Sequence, residues 1–213
     1  IGWRIGDDIT YVTDAILFDG GSMISWLKDG LGLISSAKES NELAMTVKDS
    51  LGVYVVPAMS GISSSYWNDH ARTTFVGITA GVTKAHLCRA TTEGICLMVK
   101  DNIQATAEAL GKPVVSMNCD GGAASSDILM QMQADILGIP VLRPTELEMT
   151  ALGAAYAAGL AVGFWKDLAE IKSFWTLDRV FEPQMSEDQR ETLYRGWKRA
   201  VVRSFDWAKP EEA

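Results

Sequence analysis

The sequence predicts an α/β domain in which a mixed sheet is flanked by helices. Short runs of β-branched and apolar residues alternate with segments whose apolar residues recur at helical spacing. The most β-prone run covers residues 53–56 and is stopped by Pro57. Thr83 is a suitable N-cap for a long helix over about 84–110. No repeat or low-complexity linker interrupts the pattern, so one domain is the economical interpretation.

The first half of the chain predicts short elements around this long helix. In chain order we expect a strand at 11–18, a helix after Gly20 and Gly21, a polar helix-and-loop region at 37–50, a loop at 60–74 and a strand at 75–79. On the long helix the residues expected to face the core are Leu87, Thr91, Ile95, Met98 and Ile103.

The second half predicts alternating strands and helices. We expect a strand at 114–119, a helix from about 126 to 137, a strand at 139–142 ended by Pro144, a helix at 146–163 and an amphipathic helix at 186–207. The helix at 146–163 is rich in alanine and glycine. Because small residues permit close backbone approach, we expect this helix to be tightly buried against the sheet.

The most informative segment is the turn between residues 114–119 and the helix that follows. Asp120, Gly121 and Gly122 stand directly after the apolar run. Glycine removes the side-chain obstacle there, and a helix begins with unpaired N–H groups that suit a phosphate or a nucleotide. A tight turn without a ligand explains the same residues equally well.

Composition excludes several classes of protein. The net charge of −8 disfavours non-specific binding to nucleic acid or to an anionic membrane, and no apolar run is long enough to span a bilayer. The three cysteines lack CxxC spacing, which favours a reducing, cytoplasmic setting. The two histidines lack metal-ligand spacing, so no metal site is expected. Since the chain begins with Ile1, we expect it to be a fragment.

Five further side chains have both a ligand-binding and a structural interpretation. Asp120 could bind a metal, but an acceptor for backbone N–H groups is the commoner role. Arg72 could contact phosphate or anchor a loop through an ion pair. His86, near a helix start, fits packing better than catalysis. Tyr66 and Trp67 could form a ligand platform or lie buried under a loop.

Several ordered motifs resemble one family of enzymes. They occur at 52–58, 66–67, 71–72, 77–79, 86–91, 120–123, 129–131, 133–138, 143–144, 150–155 and 196–198. Together they run over almost the whole chain and resemble the FGGY carbohydrate kinases, in their glycerol kinase subgroup.

This resemblance implies a two-domain ATPase of the ribonuclease H-like, actin-like type. The chain, over residues 1–213, resembles the C-terminal, nucleotide-binding domain alone. The implied reaction transfers the γ-phosphate of ATP, with Mg²⁺, to glycerol or a related polyol. The catalytic aspartate and most glycerol contacts are expected in the N-terminal half, so no catalytic residue is assigned here. A homo-oligomer or an assembly with that half is expected.

The resemblance also implies four nucleotide-binding residues. Gly21 and Gly122 match family glycines beside the nucleotide, and Ser25 stands where many members have Gln or another polar residue. Ser126 stands where members of the family usually have an Asn that forms hydrogen bonds with the base of the nucleotide. A single hydroxyl cannot make the same two-point contact as an amide.

Other departures from the family are Thr73, Thr92 and the serine-rich loop at 59–65. They leave two alternatives open. One is a catalytically degenerate kinase-like domain that acts as a structural or partner-binding subunit, and the other is an FGGY kinase for a different polyol.

Overall fold

The computed structural model describes residues 1–210 and has a mixed α/β architecture. The first elements are the antiparallel strands β1 (Trp3–Ile5) and β2 (Asp8–Thr10), helix α1 (Gly21–Ser25), a π-helical turn (Trp26–Gly30) and helix α2 (Ala37–Met45). Helix α2 begins where Ser36 accepts a hydrogen bond from the Glu39 backbone N–H, which satisfies one of the free donors of the first turn.

The long helix α3 (Lys84–Leu110) has the bounds predicted from sequence. The Thr83 N–H donates to Nδ1 of His86 at 3.1 Å. At the other end Gly111 has φ of 65°, a left-handed conformation that favours glycine. Strands β3 (Tyr54–Val56) and β4 (Thr74–Val76) pair antiparallel, and α3 packs against β3.

A mixed three-stranded sheet follows, which confirms the predicted sheet type. Strand β5 (Met117–Asn118) runs parallel to β6 (Val141–Pro144), and β6 runs antiparallel to β7 (Leu177–Phe181). Helix α4 (Asp127–Leu137) connects the two parallel strands. Strand β5 is shorter than the predicted 114–119, because only Met117 and Asn118 have ladder partners on β6.

The remaining elements are helices α5 (Met149–Ala161), α6 (Leu168–Ser173) and α7 (Glu187–Val201). Helix α7 closes the main core together with α3, α4 and β3, and the large side chains at its centre are Val56, Leu97, Met98, Ile136 and Trp197. No helix of residues 1–210 is both long and apolar enough to cross a membrane.

The strand predicted at 11–18 is wrong. The segment has no regular secondary structure, and no described strand pairs with it. Its backbone is held by side chains instead: the Ile16 N–H donates to Ser64 Oγ at 2.6 Å, and the Ile16 carbonyl accepts from Ser63 Oγ at 2.5 Å. A pattern of β-prone residues shows only that a segment could join a sheet. A strand forms only where a neighbouring strand provides the hydrogen-bond partners for its backbone.

The predicted burial of the alanine-rich helix is also wrong. Helix α5 forms close to where it was predicted, but none of its residues is buried among those described. Ala154, Ala155 and Ala158 are all exposed. Small side chains permit close approach, yet they supply little contact area of their own, so burial depends on a partner surface.

Candidate functional site

The four residues predicted to bind a nucleotide lie in two pairs. Gly21 and Ser25 are the first and last residues of α1, and both are exposed. Gly122 opens the 3₁₀ turn Gly122–Ser125, and Ser126 is the N-cap of α4. Gly21 and Gly122 are thus each the last residue of an Asp-Gly-Gly sequence and the first residue of a helical segment, where backbone N–H groups lack helical partners.

Asp19 fixes the first of these turns. It is only 3% exposed, its Oδ1 accepts from Ser22 Oγ at 3.0 Å, and its Oδ2 accepts from the Ser60 N–H at 3.0 Å. The carboxylate thus joins the start of α1 to the loop after β3. Asp19 is not among the residues predicted from sequence, although its position before Gly20 and Gly21 repeats that of Asp120 before Gly121 and Gly122.

Gly121 determines the shape of the second turn. Its φ is 81° and its ψ is 174°, a region that only glycine adopts readily. Its N–H donates to the Leu147 carbonyl at 2.8 Å, and its carbonyl accepts from the Ala124 N–H at 3.0 Å. The backbone of this turn therefore requires glycine at position 121.

Gly122 and Gly21 have no such structural requirement. Neither has a positive φ, and a Cβ added to either would meet no atom within 4 Å. Gly94 differs, because a Cβ there would collide with the Val55 carbonyl. Gly21 and Gly122 thus leave open space in front of their backbones, which a ligand could occupy.

Both lone pairs of the Ser126 hydroxyl oxygen accept hydrogen bonds. Its Oγ accepts from the Leu129 N–H at 3.2 Å, which caps α4, and from Nδ2 of Asn41 at 2.8 Å. Asn41 lies on α2, which also contacts α1. Helix α2 is therefore in contact with the elements that carry both pairs of predicted site residues.

Arg143 supports the second turn from the sheet. Its Nη1 donates to the Ala124 carbonyl at 3.0 Å and to Asp127 Oδ1 at 2.7 Å, and its Nε donates to Asp178 Oδ2 at 2.7 Å. Arg179 adds a second contact to Asp127 at 2.6 Å. These charge-assisted bonds hold the start of α4 against β6 and β7.

Two of the sequence interpretations need correction. Asp120 is exposed, and its carboxylate makes no hydrogen bond to any other part of residues 1–210, so it is not the predicted acceptor. Arg72 does anchor its loop, but through the carbonyls of Asp69 (2.9 Å) and Ala71 (2.7 Å) rather than through an ion pair.

The aromatic pair has one buried and one exposed member. Tyr66 is half-buried, and its hydroxyl donates to Asp101 at 2.8 Å. Trp67 is 71% exposed and has φ of 49°. The predicted burial thus holds for Tyr66 alone. His86 caps α3, a structural role in line with its non-catalytic interpretation.

The groups next to the two glycine turns are backbone, hydroxyl, amide and carboxylate groups. Over the described residues no group of three or more His, Cys, Asp or Glu side chains is placed to hold a metal ion. The three cysteines are free. Burial, with Asp120 as a smaller contribution, raises the pKa of Cys119 to about 11, so this thiol stays protonated at neutral pH.

Comparison with known proteins identifies relatives of the whole chain. The glycerol kinase of Dechloromonas aromatica is 50% identical over 208 residues, which are 98% of this chain and 41% of that relative. The glycerol kinase of Pseudothermotoga lettingae is 49% identical over 210 residues, 98% of this chain and 42% of the relative. The chain thus spans about two fifths of the length of these curated relatives.

Solved structures share the fold. The crystal structure of Plasmodium falciparum glycerol kinase with ADP superposes with a TM-score of 0.77 at 31% identity, over 86% of this chain and 37% of that one. A ligand-bound xylulose kinase from Lactobacillus acidophilus gives 0.72 at 27% identity, with the same coverage. These neighbours confirm the predicted ribonuclease H-like, actin-like ATPase fold.

The match to a family covers most of the chain. Residues 8–162 match the description "FGGY family of carbohydrate kinases, C-terminal domain". This segment includes all four predicted site residues together with Asp19 and Asn41. The chain therefore belongs to the FGGY family of carbohydrate kinases and corresponds to its C-terminal domain.

Proposed function

We propose that the chain is the nucleotide-binding part of an ATP-dependent glycerol kinase, which transfers the γ-phosphate of ATP to glycerol to give glycerol 3-phosphate. Relatives at 50% and 49% identity are named glycerol kinase, and the Plasmodium falciparum enzyme of the same fold was solved with ADP. The observation that carries the proposal is the open space in front of Gly21 and Gly122, where neither backbone conformation nor packing requires glycine.

Gly21, Ser25, Gly122 and Ser126 are the proposed nucleotide contacts. The two glycines let a flat or anionic ligand approach the backbone, and the two serines offer hydroxyl groups beside them. Phosphoryl transfer depends mainly on positioning and on stabilising charge, with little covalent chemistry for the protein to perform. The role of this chain in the proposal is to bind and orient ATP.

The rest of the machinery belongs to the remainder of the enzyme. In this proposal residues 1–213 form one C-terminal domain, and the N-terminal half supplies the catalytic aspartate and most contacts to glycerol or a related polyol. Mg²⁺ bound to the phosphates of the nucleotide would neutralise part of their charge. The assembled enzyme is a cytoplasmic homo-oligomer or a complex of the two halves, and it binds no nucleic acid.

Substitution of Gly122 by valine tests the site. The added side chain fills space that is open in the free chain, so Gly122→Val should leave thermal stability nearly unchanged. Because the side chain occupies the proposed ligand position, the affinity for ATP should fall by about tenfold or more, equivalent to about 1.4 kcal/mol. Titration calorimetry of the chain with ATP measures the affinity, and a thermal melt measures stability.

Gly153→Val is the matched control, because Gly153 has equally open surroundings but lies on α5. It should leave ATP affinity intact. Equal ATP affinity in the unaltered chain and in Gly122→Val would contradict the proposed site.

A kinase-like domain that has lost catalysis is the second candidate. It is favoured by Ser126, which stands where the family resemblance implies an Asn and whose oxygen is engaged by Leu129 and Asn41. A chain that binds no ATP, even when joined to an N-terminal half, would support this structural role.

A further inference from the structure

Asn41 and Ser126 form a polar pair that bridges α2 and the start of α4. Their side chains come from positions far apart in sequence, and Nδ2 of Asn41 lies 2.8 Å from Oγ of Ser126. Both residues are half-buried, so each presents part of its surface to solvent. This contact links the two helices directly beside the Gly122 turn.

One acceptor and one donor of this pair have no hydrogen-bond partner within residues 1–210. Ser126 Oγ already accepts from Asn41 and from the Leu129 N–H, which leaves its own proton to donate. Within residues 1–210 no donor is bonded to Oδ1 of Asn41, and no acceptor takes the Ser126 hydroxyl proton. Two neighbouring side chains thus offer the acceptor-and-donor combination of a single amide.

We propose that Asn41 and Ser126 together recognise the adenine edge of the bound nucleotide, with Asn41 as a base-contacting residue in its own right. This inference rests on the proposed function, because it concerns the same nucleotide site. Oδ1 of Asn41 accepts from the adenine amino group, and the Ser126 hydroxyl donates to a ring nitrogen beside it. Asn41 thereby restores the two-point contact that a lone serine cannot make.

The pair also distinguishes adenine from guanine. Adenine presents a donor (N6) next to an acceptor (N7) on one edge, whereas guanine presents two acceptors (O6 and N7) there. Oδ1 of Asn41 would face O6 of guanine with no hydrogen between them. A buried acceptor without a partner is unfavourable, so the pair should prefer ATP over GTP.

The experiment measures ATP and GTP binding to the full 213-residue chain by titration calorimetry. Asn41→Ala removes one neutral hydrogen bond to adenine, so ATP affinity should fall by about three- to twelvefold while GTP affinity does not fall. Glu42→Ala is the control, since Glu42 is the next residue on α2, is exposed, and has no bond to Ser126. It should preserve both affinities.

Asn41→Asp keeps the size of the side chain but has no N–H for Ser126. The Ser126 hydroxyl then donates to the new carboxylate and can no longer donate to adenine. ATP affinity should therefore fall in this variant too. Circular dichroism checks that each variant is folded. In the unaltered chain, ATP should also shift the ¹⁵N side-chain amide resonance of Asn41, a readout independent of turnover.

The outcomes separate this inference from the proposed function. ATP binding that is equal in the unaltered chain and in folded Asn41→Ala, with the same preference over GTP, overturns the role of Asn41 and leaves the proposed function standing. Failure of the unaltered chain to bind either nucleotide overturns both. Loss of ATP preference in Asn41→Ala, together with weaker ATP binding in Asn41→Asp and unchanged binding in Glu42→Ala, supports the inference.

Discussion

Asp101 is a buried carboxylate on α3 that joins three parts of the molecule. It is 2% exposed and accepts from the hydroxyls of Tyr66 (2.8 Å) and Tyr194 (2.6 Å) and from Nε1 of Trp197 (2.7 Å), while Nζ of Lys198 lies 2.8 Å away. Burial, reinforced by the Asp101 charge, raises the pKa of both tyrosines, so both phenols stay protonated donors.

We expect Asp101→Asn to destabilise the chain by about 1.5–3 kcal/mol for each charge-assisted hydrogen bond lost. The amide nitrogen cannot accept from a hydroxyl or an indole N–H, so at least one of the buried donors is left without its partner. Urea unfolding followed by tryptophan fluorescence measures the change. Asp29→Asn is the control, because Asp29 is exposed and within residues 1–210 forms an ion pair only with Lys28, and its effect should stay within about 0.5 kcal/mol.

Individual residues could be predicted where their role is local in sequence. Thr83 was predicted as a cap because an N-cap and its helix are adjacent, and Gly121–Gly122 was recognised as a turn because glycine pairs mark turns. Asp19 and Asn41 could not be found in this way. Their partners, Ser60 and Ser126, are distant in sequence, and no local pattern encodes a contact that only tertiary folding creates.

At the level of elements, the helices were predicted better than the strands. The bounds of α3 follow from its own caps and periodicity. The segment 11–18 has strand-like residues but no partner strand among those described, and in the predicted strand 114–119 only Met117 and Asn118 have ladder partners, both on β6. Helix formation depends on neighbours within the segment, whereas a strand depends on a ladder from elsewhere in the chain.

The exposure of helix α5 leads to a prediction about which substitutions this helix tolerates. Ala154 on α5 is exposed, whereas Ala134 on α4 is fully buried against Val141 and Phe181. Ala154→Arg should change the free energy of unfolding by no more than about 0.5 kcal/mol, because arginine is a good helix former and meets only solvent there. Ala134→Arg places a charge in the core and should abolish cooperative folding.

Thermal unfolding followed by circular dichroism at 222 nm compares these two variants. Strong destabilisation by Ala154→Arg would show that α5 is covered in solution, in conflict with its exposure here.

For the whole molecule, two facts bear on the proposed function: the chain is only part of the length of its relatives, and its net charge is negative. The chain covers 41% of the Dechloromonas aromatica glycerol kinase and 37% of the Plasmodium falciparum enzyme. The net charge of −8 does not help to hold an anionic nucleotide. In the proposed function, ATP binding would then depend on local groups, namely the backbone N–H groups at the two glycine turns and the side chains beside them.

The last prediction concerns division of labour between this chain and the rest of the enzyme. In the proposed function the chain orients ATP, and the catalytic aspartate lies in the N-terminal half. The 213-residue chain should therefore bind ATP without phosphorylating glycerol. Mixed with the part of the Dechloromonas aromatica glycerol kinase that it does not cover, it should produce glycerol-dependent ADP, measured in a coupled assay.

The chain carrying Gly122→Val serves as the control in that mixture. It should fold and dock like the unaltered chain, because a Cβ at position 122 meets no atom of residues 1–210 within 4 Å, but it should give far less ADP. Glycerol phosphorylation by the purified chain alone would place a general base within residues 1–213 and contradict this division. Docking without turnover for both chains, with ATP bound, would instead favour the structural role. Activity that needs both parts and an open Gly122 turn is the outcome that only the kinase proposal predicts.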